Sequence, residues 1–175
     1  TLGIDLGTQS LKAILYDVES HRTLDAASSP LGINQRQDGS AEQLVEWWIA
    51  ALNQALSNLD PKLKMRVNAV GVSGQQHGFV PINQAGQVLA PVKLWCDTST
   101  QDDCDEIMGS VGGLHACIEL AGNPILVGYT ASKVRWFKMA QRDFYEQMDC
   151  ILLPHDYLNF YLTGERSMEA GDASG

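Results

Sequence analysis

The stretch Gly3-Ile4-Asp5-Leu6-Gly7-Thr8 lies between two apolar segments at the start of the chain and decides the fold. Residues 2–4 are a short apolar run, and residues 11–18 alternate between apolar and other side chains as a strand does. Residues 5–10 between them have the composition of a turn. Two strands joined by a tight, glycine-containing turn form a β-hairpin, whereas in a P-loop a strand leads into a helix. The sequence therefore predicts that the chain begins with a hairpin.

The turn of this hairpin carries groups suited to phosphate. Gly7 can adopt a positive φ and lacks the Cβ that would block an anion. Successive backbone N–H groups of such a turn point into one concavity that favours an anion. Asp5 could hold Mg²⁺ through water, because Mg²⁺ usually keeps several waters. The side chains that add donors or positive charge are Thr8, Gln9, Ser10 and Lys12. An ordinary hairpin turn uses the same residue types, so the residues alone leave that alternative open.

Further segments predict more strands and a long helix. Residues 24–31 form a third candidate strand, and residues 67–72 resemble a buried strand. Ser40 and Gln43 match a Ser-x-x-Gln capping box, so a helix is expected to begin at Ser40 and to end at Asp60-Pro61. The apolar face of this helix consists of Leu44, Trp48, Ala51, Leu52, Ala55 and Leu59.

The second half of the chain alternates between strands and helices. Residues 79–82 and 88–95 flank Asn83-Gln84-Ala85-Gly86 as a second hairpin. The remaining expected elements are one or two short helices over 100–122, a helix over 131–147, a strand over 150–153, and a helix over 156–162 closed by Gly164. This order indicates an α/β domain with a mixed sheet and helices on both faces.

The composition narrows the function classes. The 175 residues carry a formal net charge of −9, which argues against a nucleic-acid binder, because such proteins need a basic surface. No apolar run approaches the roughly 18 residues that span a bilayer, and no signal peptide is recognisable. The four cysteines show no Cys-x-x-Cys spacing, so free thiols are expected. These observations favour a cytoplasmic protein that does not bind a membrane.

Five segments, taken in order, resemble the FGGY family of carbohydrate kinases. The first is Gly3 to Thr8, which resembles the phosphate-1 element of the actin-like ATPase superfamily. The other four are Ser73-Gly74-Gln75-Gln76-His77-Gly78, Leu94-Trp95-Cys96-Asp97, residues 128–136, and residues 152–158 with Leu162-Thr163-Gly164-Glu165. The resemblance covers essentially the whole chain. It implies a ribonuclease H-like domain that forms the N-terminal, sugar-binding half of an ATP-dependent kinase.

The resemblance also implies roles for individual residues. Asp5 would belong to the Mg²⁺ and phosphate environment. The residues expected to face the phosphates of ATP are Gly7, Thr8, Gln9, Ser10 and Lys12. Gln76 and His77 match the xylulokinase subfamily, in which these positions contact D-xylulose and the C5 hydroxyl is phosphorylated. Trp95 would lie beside the sugar, and Asp97 is a further candidate near it. Glycerol kinases carry Arg-Glu in place of the Gln-His pair, which counts against glycerol.

Alternatives to these roles stay open on the sequence. His77 could be structural, Trp95 could fill the core, and Asp172 suits a turn as well as a site. The kinase could act on ribulose, gluconate, fuculose or glycerol, or the chain could be a stand-alone, non-catalytic sugar-binding domain. The oligomeric state is open too, a homodimer of the full-length protein included.

The resemblance further predicts what residues 1–175 lack. In FGGY kinases the general base is an aspartate in a glycine-rich segment of the C-terminal domain, which also holds most of the adenine. Residues 1–175 are expected to be the N-terminal domain alone. No catalytic base is therefore assigned within them, and the isolated chain is expected to be inactive on D-xylulose.

Overall fold

Strands and helices alternate through residues 1–172, which the computed structural model describes. The strands are β1 (Leu2–Leu6), β2 (Ser10–Asp17), β3 (Arg22–Pro30), β4 (Asn34–Gln35), β5 (Ala41–Gln43), β6 (Val70–Gly74), β7 (Val80–Ile82), β8 (Val92–Lys93) and β9 (Cys150–Leu152). The helices are α1 (Val45–Asn58), α2 (Pro61–Lys64), α3 (Gln101–Ser110), α4 (Leu114–Ala121), α5 (Thr130–Ala140), α6 (Arg142–Tyr145) and α7 (Pro154–Thr163). No helix in this described part of the chain is long and apolar enough to cross a membrane.

The largest sheet has the strand order β3-β2-β1-β6 and is mixed. β1 pairs antiparallel with β2, which confirms the predicted N-terminal hairpin, and β2 pairs antiparallel with β3. β1 pairs parallel with β6, so that Leu6 lies beside Gly74. A mixed sheet combined with helices confirms the expected α/β class.

One face of this sheet packs against α1. The period-2 alternation of the strands turns every second side chain towards that face. The buried apolar residues of β1 and β2 are Ile4, Leu6, Leu11, Ala13 and Leu15. The residues of α1 in the same core are Trp48, Ala51, Leu52 and Ala55, as their helical spacing predicts. Burial of one large apolar side chain contributes about 1.5–3 kcal/mol, so packing rather than capping fixes the helix.

The helix predicted to begin at Ser40 begins later, at Val45. Residues Ala41–Gln43 form strand β5, which pairs with β4 and β8. The N-cap residue, Leu44, makes no side-chain cap hydrogen bond. The capping-box interpretation of Ser40 and Gln43 is therefore wrong. The Gln43 side chain is fully buried, and its amide donates to the distant carbonyls of Thr8 and Gly32. The side chain that the local pattern assigned to a helix cap is therefore used in tertiary hydrogen bonds.

The predicted second hairpin is only partly formed. Its turn is present, because Gly86 has a φ of +79° and its N–H donates to the Asn83 carbonyl at 2.9 Å. The flanking strands pair elsewhere, β7 with β9 and β8 with β5. Within residues 1–172 the two flanks meet through isolated bridges, such as Ile82 with Val88. The local alternation therefore located the strands but not their partners.

The helical predictions for the second half are confirmed in outline. α3 and α4 occupy the region predicted for short helices, and α7 is closed by the C-cap residue Gly164, whose φ of +77° is left-handed. The helix predicted over 131–147 is interrupted at Gln141, where φ of −132° and ψ of 47° separate α5 from α6. The cysteines are free, as predicted.

Candidate functional site

Two parallel neighbours, β1 and β6, end at the same edge of the sheet and bring their following loops together. β1 leads into the turn that contains Gly7 and Thr8, and β6 leads into Gln75, Gln76 and His77. Ligands of open α/β sheets bind outside the carboxyl ends of such strands. The residues that line the resulting cavity of about 470 Å³ are Asp5, Gly7, Thr8, Gly74, Gln75, Gln76, His77 and Trp95. Some of the predicted site residues thus come together in one cavity, namely Asp5, Gly7, Thr8, Gln76, His77 and Trp95.

The C-terminal end of β1 presents one carboxylate to this cavity. Asp5 is exposed, makes no ion pair within residues 1–172, and lies opposite Lys12 in the β1–β2 register. Gly7 does not adopt the positive φ that the sequence suggested. A Cβ at Gly7 would lie 3.1 Å from the Ser10 carbonyl oxygen, which accepts the Gly7 N–H. Close approach of the backbone is therefore the reason for glycine here. The predicted phosphate residues that do not line the cavity are Gln9, Ser10 and Lys12.

The residues at the cavity suit a metal ion whose ligands are mostly water molecules and substrate phosphates. Among the described residues, no group of three or more His, Cys, Asp and Glu side chains could enclose a metal ion. Mg²⁺ is usually held by one or two carboxylates together with waters and substrate phosphates. The single exposed carboxylate of Asp5, beside a tight backbone turn, fits that mode of binding.

A polar network that the sequence did not reveal runs from the buried Gln43 and Gln75 to Thr8 at the cavity wall. Thr8 Oγ1 donates to Gln75 Oε1 at 3.1 Å and accepts from Trp95 Nε1 at 3.0 Å. Gln75 Nε2 donates to Gln43 Oε1 at 3.0 Å, and Trp48 Nε1 donates to the same oxygen at 2.9 Å. The Thr8 hydroxyl has one proton, which it donates to Gln75, so it has no proton left to donate to a ligand. As an acceptor, the same hydroxyl links the turn to Trp95.

Replacing Gln75 with leucine is expected to lower the free energy of unfolding by about 2 kcal/mol. The change leaves the partly buried Thr8 hydroxyl without its acceptor, and it removes one of the two donors to the buried Gln43 oxygen. Urea unfolding followed by circular dichroism measures the loss. The control is Gln76→Leu, because Gln76 is exposed, and a change of less than about 0.5 kcal/mol is expected there. Equal losses in the two variants would show that the network does not support the wall.

His77 lines the cavity in a strained backbone conformation. Its φ of +54° is in the left-handed region, which residues other than glycine rarely occupy. Its N–H donates to Asp172 Oδ2 at 3.3 Å, and its carbonyl accepts from Thr130 Oγ1 at 3.1 Å. Its ring centroid lies 4.6 Å from that of Tyr129. A strained residue that two distant segments hold in place indicates a functional position. The sequence left the role of Asp172 open, and it assigned no role to Thr130, although Thr130 lies in the 128–136 segment that resembles the family.

Trp95 and Asp97 are close in sequence but have different surroundings. The Trp95 side chain is half exposed and offers an apolar ring face to the cavity. Asp97 is fully buried and does not line the cavity. Burial alone would raise the pKa of Asp97, but hydrogen bonds from Ser99, the Ala41 N–H and Lys93 outweigh burial and lower the pKa below its ordinary value. The structure thus brings Trp95, but not Asp97, to the other predicted sugar residues.

Known proteins share both the sequence and the fold. Residues 1–175 match the N-terminal domain of the FGGY family of carbohydrate kinases. A xylulose kinase from Haemophilus influenzae is 39% identical over 99% of the chain and 37% of its own length. The crystal structure of a xyloylose kinase from Brucella ovis has a TM-score of 0.90 and 32% identity, covering 99% of the chain and 36% of that protein. The xylulose kinase from Rhodospirillum rubrum has a TM-score of 0.87 and 26% identity, covering 98% of the chain and 36% of that protein. The chain thus spans about a third of the length of the relatives that it matches.

Proposed function

The chain belongs to the FGGY family of carbohydrate kinases, and from this premise we propose that it is the sugar-binding part of an ATP-dependent kinase that converts D-xylulose to D-xylulose 5-phosphate. The ribonuclease H-like fold expected from the sequence is confirmed by the structural neighbours. The proposal rests on one observation above all. Gln76, His77, Trp95 and Asp5 line a single cavity at the carboxyl ends of two parallel strands.

In the proposed mechanism this cavity positions the acceptor sugar next to the phosphate that is transferred. Gln76 and His77 hydrogen-bond the sugar hydroxyls, and the Trp95 ring covers the carbon skeleton. The turn at Gly7, which lines the same cavity, would face the phosphates of ATP. Asp5 would hold Mg²⁺, which neutralises charge on the phosphates when it is bound with ATP.

Phosphoryl transfer depends mainly on positioning of the reactants and on stabilisation of charge at the phosphates. In this proposal, Gln76, His77 and Trp95 position the sugar, and Asp5 contributes to charge stabilisation through Mg²⁺. The general base and most adenine contacts belong, in this proposal, to a C-terminal domain beyond the 1–175 domain. The finer expectations carried over from the sequence are a cytoplasmic location, Mg²⁺ bound with ATP, and a homodimer of the full-length protein. The phosphate roles of Gln9, Ser10 and Lys12 stay predictions.

Sugar-dependent release of ADP by the full-length kinase tests the proposed function. We expect a higher kcat/KM for D-xylulose than for ribulose, gluconate, fuculose or glycerol. A preference for another acceptor would show that the substrate is wrong. Sugar binding without turnover of any acceptor would favour the non-catalytic alternative. The isolated chain is expected to release no ADP in response to sugar.

His77→Ala in the full-length kinase is expected to lower kcat/KM for D-xylulose about 10-fold. One hydrogen bond to the sugar is lost, and a loss of about 1.4 kcal/mol corresponds to a factor of ten. ATP hydrolysis without sugar should stay within twofold of wild type, because the phosphates are held elsewhere. His115→Ala is the control, since the His115 side chain is 91% exposed on α4. If His77→Ala is folded and keeps its kcat/KM within twofold, His77 is a structural residue.

A further inference from the structure

A buried carboxylate, that of Asp172, lies directly behind the histidine of the proposed sugar site. Asp172 is 3% exposed. Its Oδ1 lies 2.8 Å from His77 Nδ1, and its Oδ2 accepts the His77 N–H at 3.3 Å. The Nδ1 contact is close but not aligned as a hydrogen bond, since neither Nδ1 nor Oδ1 has an aligned partner among the described residues. One carboxylate therefore contacts both the ring and the backbone of His77.

The segment that carries Asp172 is itself held by hydrogen bonds to carboxylates. The Glu169 carboxylate accepts the Asp172 N–H at 2.9 Å and the Gly171 N–H at 2.7 Å. The Glu169 N–H donates in turn to Asp156 Oδ1 at 3.3 Å, and Asp156 lies in the first turn of α7. Burial raises the pKa of Asp156, although the neighbouring His155 opposes this shift. The short segment 169–172 is therefore fixed to α7, and it presents the Asp172 carboxylate to His77.

These contacts determine what His77 can offer to a ligand. His77 Nδ1 is buried against a carboxylate, which favours a proton on that nitrogen. The side chain is 18% exposed and lines the cavity, so Nε2 is the ring nitrogen left to face a ligand. With the proton on Nδ1, neutral Nε2 is an acceptor, and a sugar hydroxyl is a matching donor. The left-handed backbone of His77 persists because Asp172 and Thr130 bind its N–H and carbonyl.

We propose that Asp172 is a positioning residue of the sugar site, which holds His77 in its left-handed conformation and in the tautomer whose Nε2 accepts a hydrogen bond from a sugar hydroxyl. This proposal rests on the proposed function for the identity of the ligand. The position of the His77 ring and of its proton does not depend on that function. The two can therefore be tested separately.

The first test is the ring tautomer of His77, measured by long-range ¹⁵N–¹H correlation NMR at pH 8 on the chain labelled with ¹⁵N-histidine. We expect the wild-type ring to carry its proton on Nδ1 and none on Nε2. In Asp172→Asn and Asp172→Ala this preference should be lost, whereas Glu165→Gln, an exposed carboxylate change in the same region, should leave it unchanged. A wild-type ring protonated on Nε2, or an unchanged ring in both Asp172 variants, would overturn the proposal.

The second test is steady-state kinetics of the full-length kinase. Asp172→Asn should raise KM for D-xylulose about 5-fold, with kcat and sugar-independent ATP hydrolysis within twofold of wild type. Circular dichroism verifies that the isosteric variant is folded. An unchanged KM would overturn the role in sugar binding. If the wild-type kinase uses no sugar while the tautomer still depends on Asp172, the proposed function fails and the positioning of His77 stands.

Discussion

Replacement of Asp5 by asparagine is expected to lower kcat of the full-length kinase about 100-fold for every sugar acceptor, and to lower sugar-independent ATP hydrolysis by a similar factor. Among the described residues that line the cavity, Asp5 is the one with a carboxylate, and it lies beside the turn proposed to face the phosphates. A metal ion at the phosphates contributes several kcal/mol of charge stabilisation, and about 2.7 kcal/mol corresponds to 100-fold. Asparagine keeps the shape but loses the charge, so the protein should stay folded.

The pattern across acceptors distinguishes this variant from His77→Ala. Asp5→Asn should affect all acceptors and ATP hydrolysis equally, whereas His77→Ala should affect the sugar reaction alone. Asp102→Asn is the control, because Asp102 is an exposed carboxylate on α3, away from the cavity. If Asp5→Asn lowers only the kcat/KM for D-xylulose and spares ATP hydrolysis, Asp5 binds sugar and the assignment to metal and phosphate is wrong.

Lys133→Met is expected to lower the free energy of unfolding by about 3 kcal/mol. Lys133 is fully buried, and its Nζ donates to the carbonyls of Val127, Gly128 and Tyr129 at 3.2, 2.8 and 2.7 Å. Methionine fills a similar volume but removes the donor to three carbonyls, and hydrogen bonds to charged groups contribute about 1.5–3 kcal/mol each. The expected loss is smaller than their sum, because the substitution also removes the cost of burying the charge. Chemical unfolding in urea at pH 7 measures the difference.

The pH dependence of stability provides a second measurement on this lysine. Burial lowers the pKa of Lys133 from its ordinary 10.5 to about 8. Between those two values the folded chain binds fewer protons than the unfolded chain, so this group makes stability rise with pH. Lys133→Met should remove that rise. Lys138→Met, an exposed change on the same helix, should keep it and should cost less than about 0.5 kcal/mol. Equal losses in the two variants would contradict the structural role of Lys133.

The sequence predicted the parts of the molecule that depend on near neighbours. The N-terminal hairpin follows from alternation over adjacent residues, and the apolar face of α1 follows from helical spacing. Gln43 was assigned to a helix cap because Ser-x-x-Gln is a local pattern, whereas its side chain bonds to the distant carbonyls of Thr8 and Gly32. No local sequence pattern shows which distant carbonyls a side chain will contact.

In the candidate site, too, features that depend on near neighbours could be predicted and contacts between distant segments could not. The place of Gln76 and His77 at the cavity could be predicted because they lie in the loop after β6, whereas their proposed role in sugar binding came from the family resemblance. Asp97 was grouped with Trp95 by proximity in sequence, but it turns into the core to pair with Lys93. Asp172 contacts His77 only because α7 brings residues 169–172 back to the end of β6, and such a contact between distant segments depends on the whole fold.

The parallel pairing of β1 with β6 has a consequence for the order in which the protein folds. β1, β2 and β3 are joined by short turns, whereas Leu2 meets Val70 only after a long loop has closed. Closing that loop costs chain entropy before any contact compensates for it, so we expect β6 to join the sheet after the hairpin. Gln76 and His77 follow β6, and the cavity therefore forms only with that late step. A sugar that binds only the complete cavity would shift the folding equilibrium towards the complete sheet by mass action. Its binding would slow unfolding, but it would not speed formation of the hairpin.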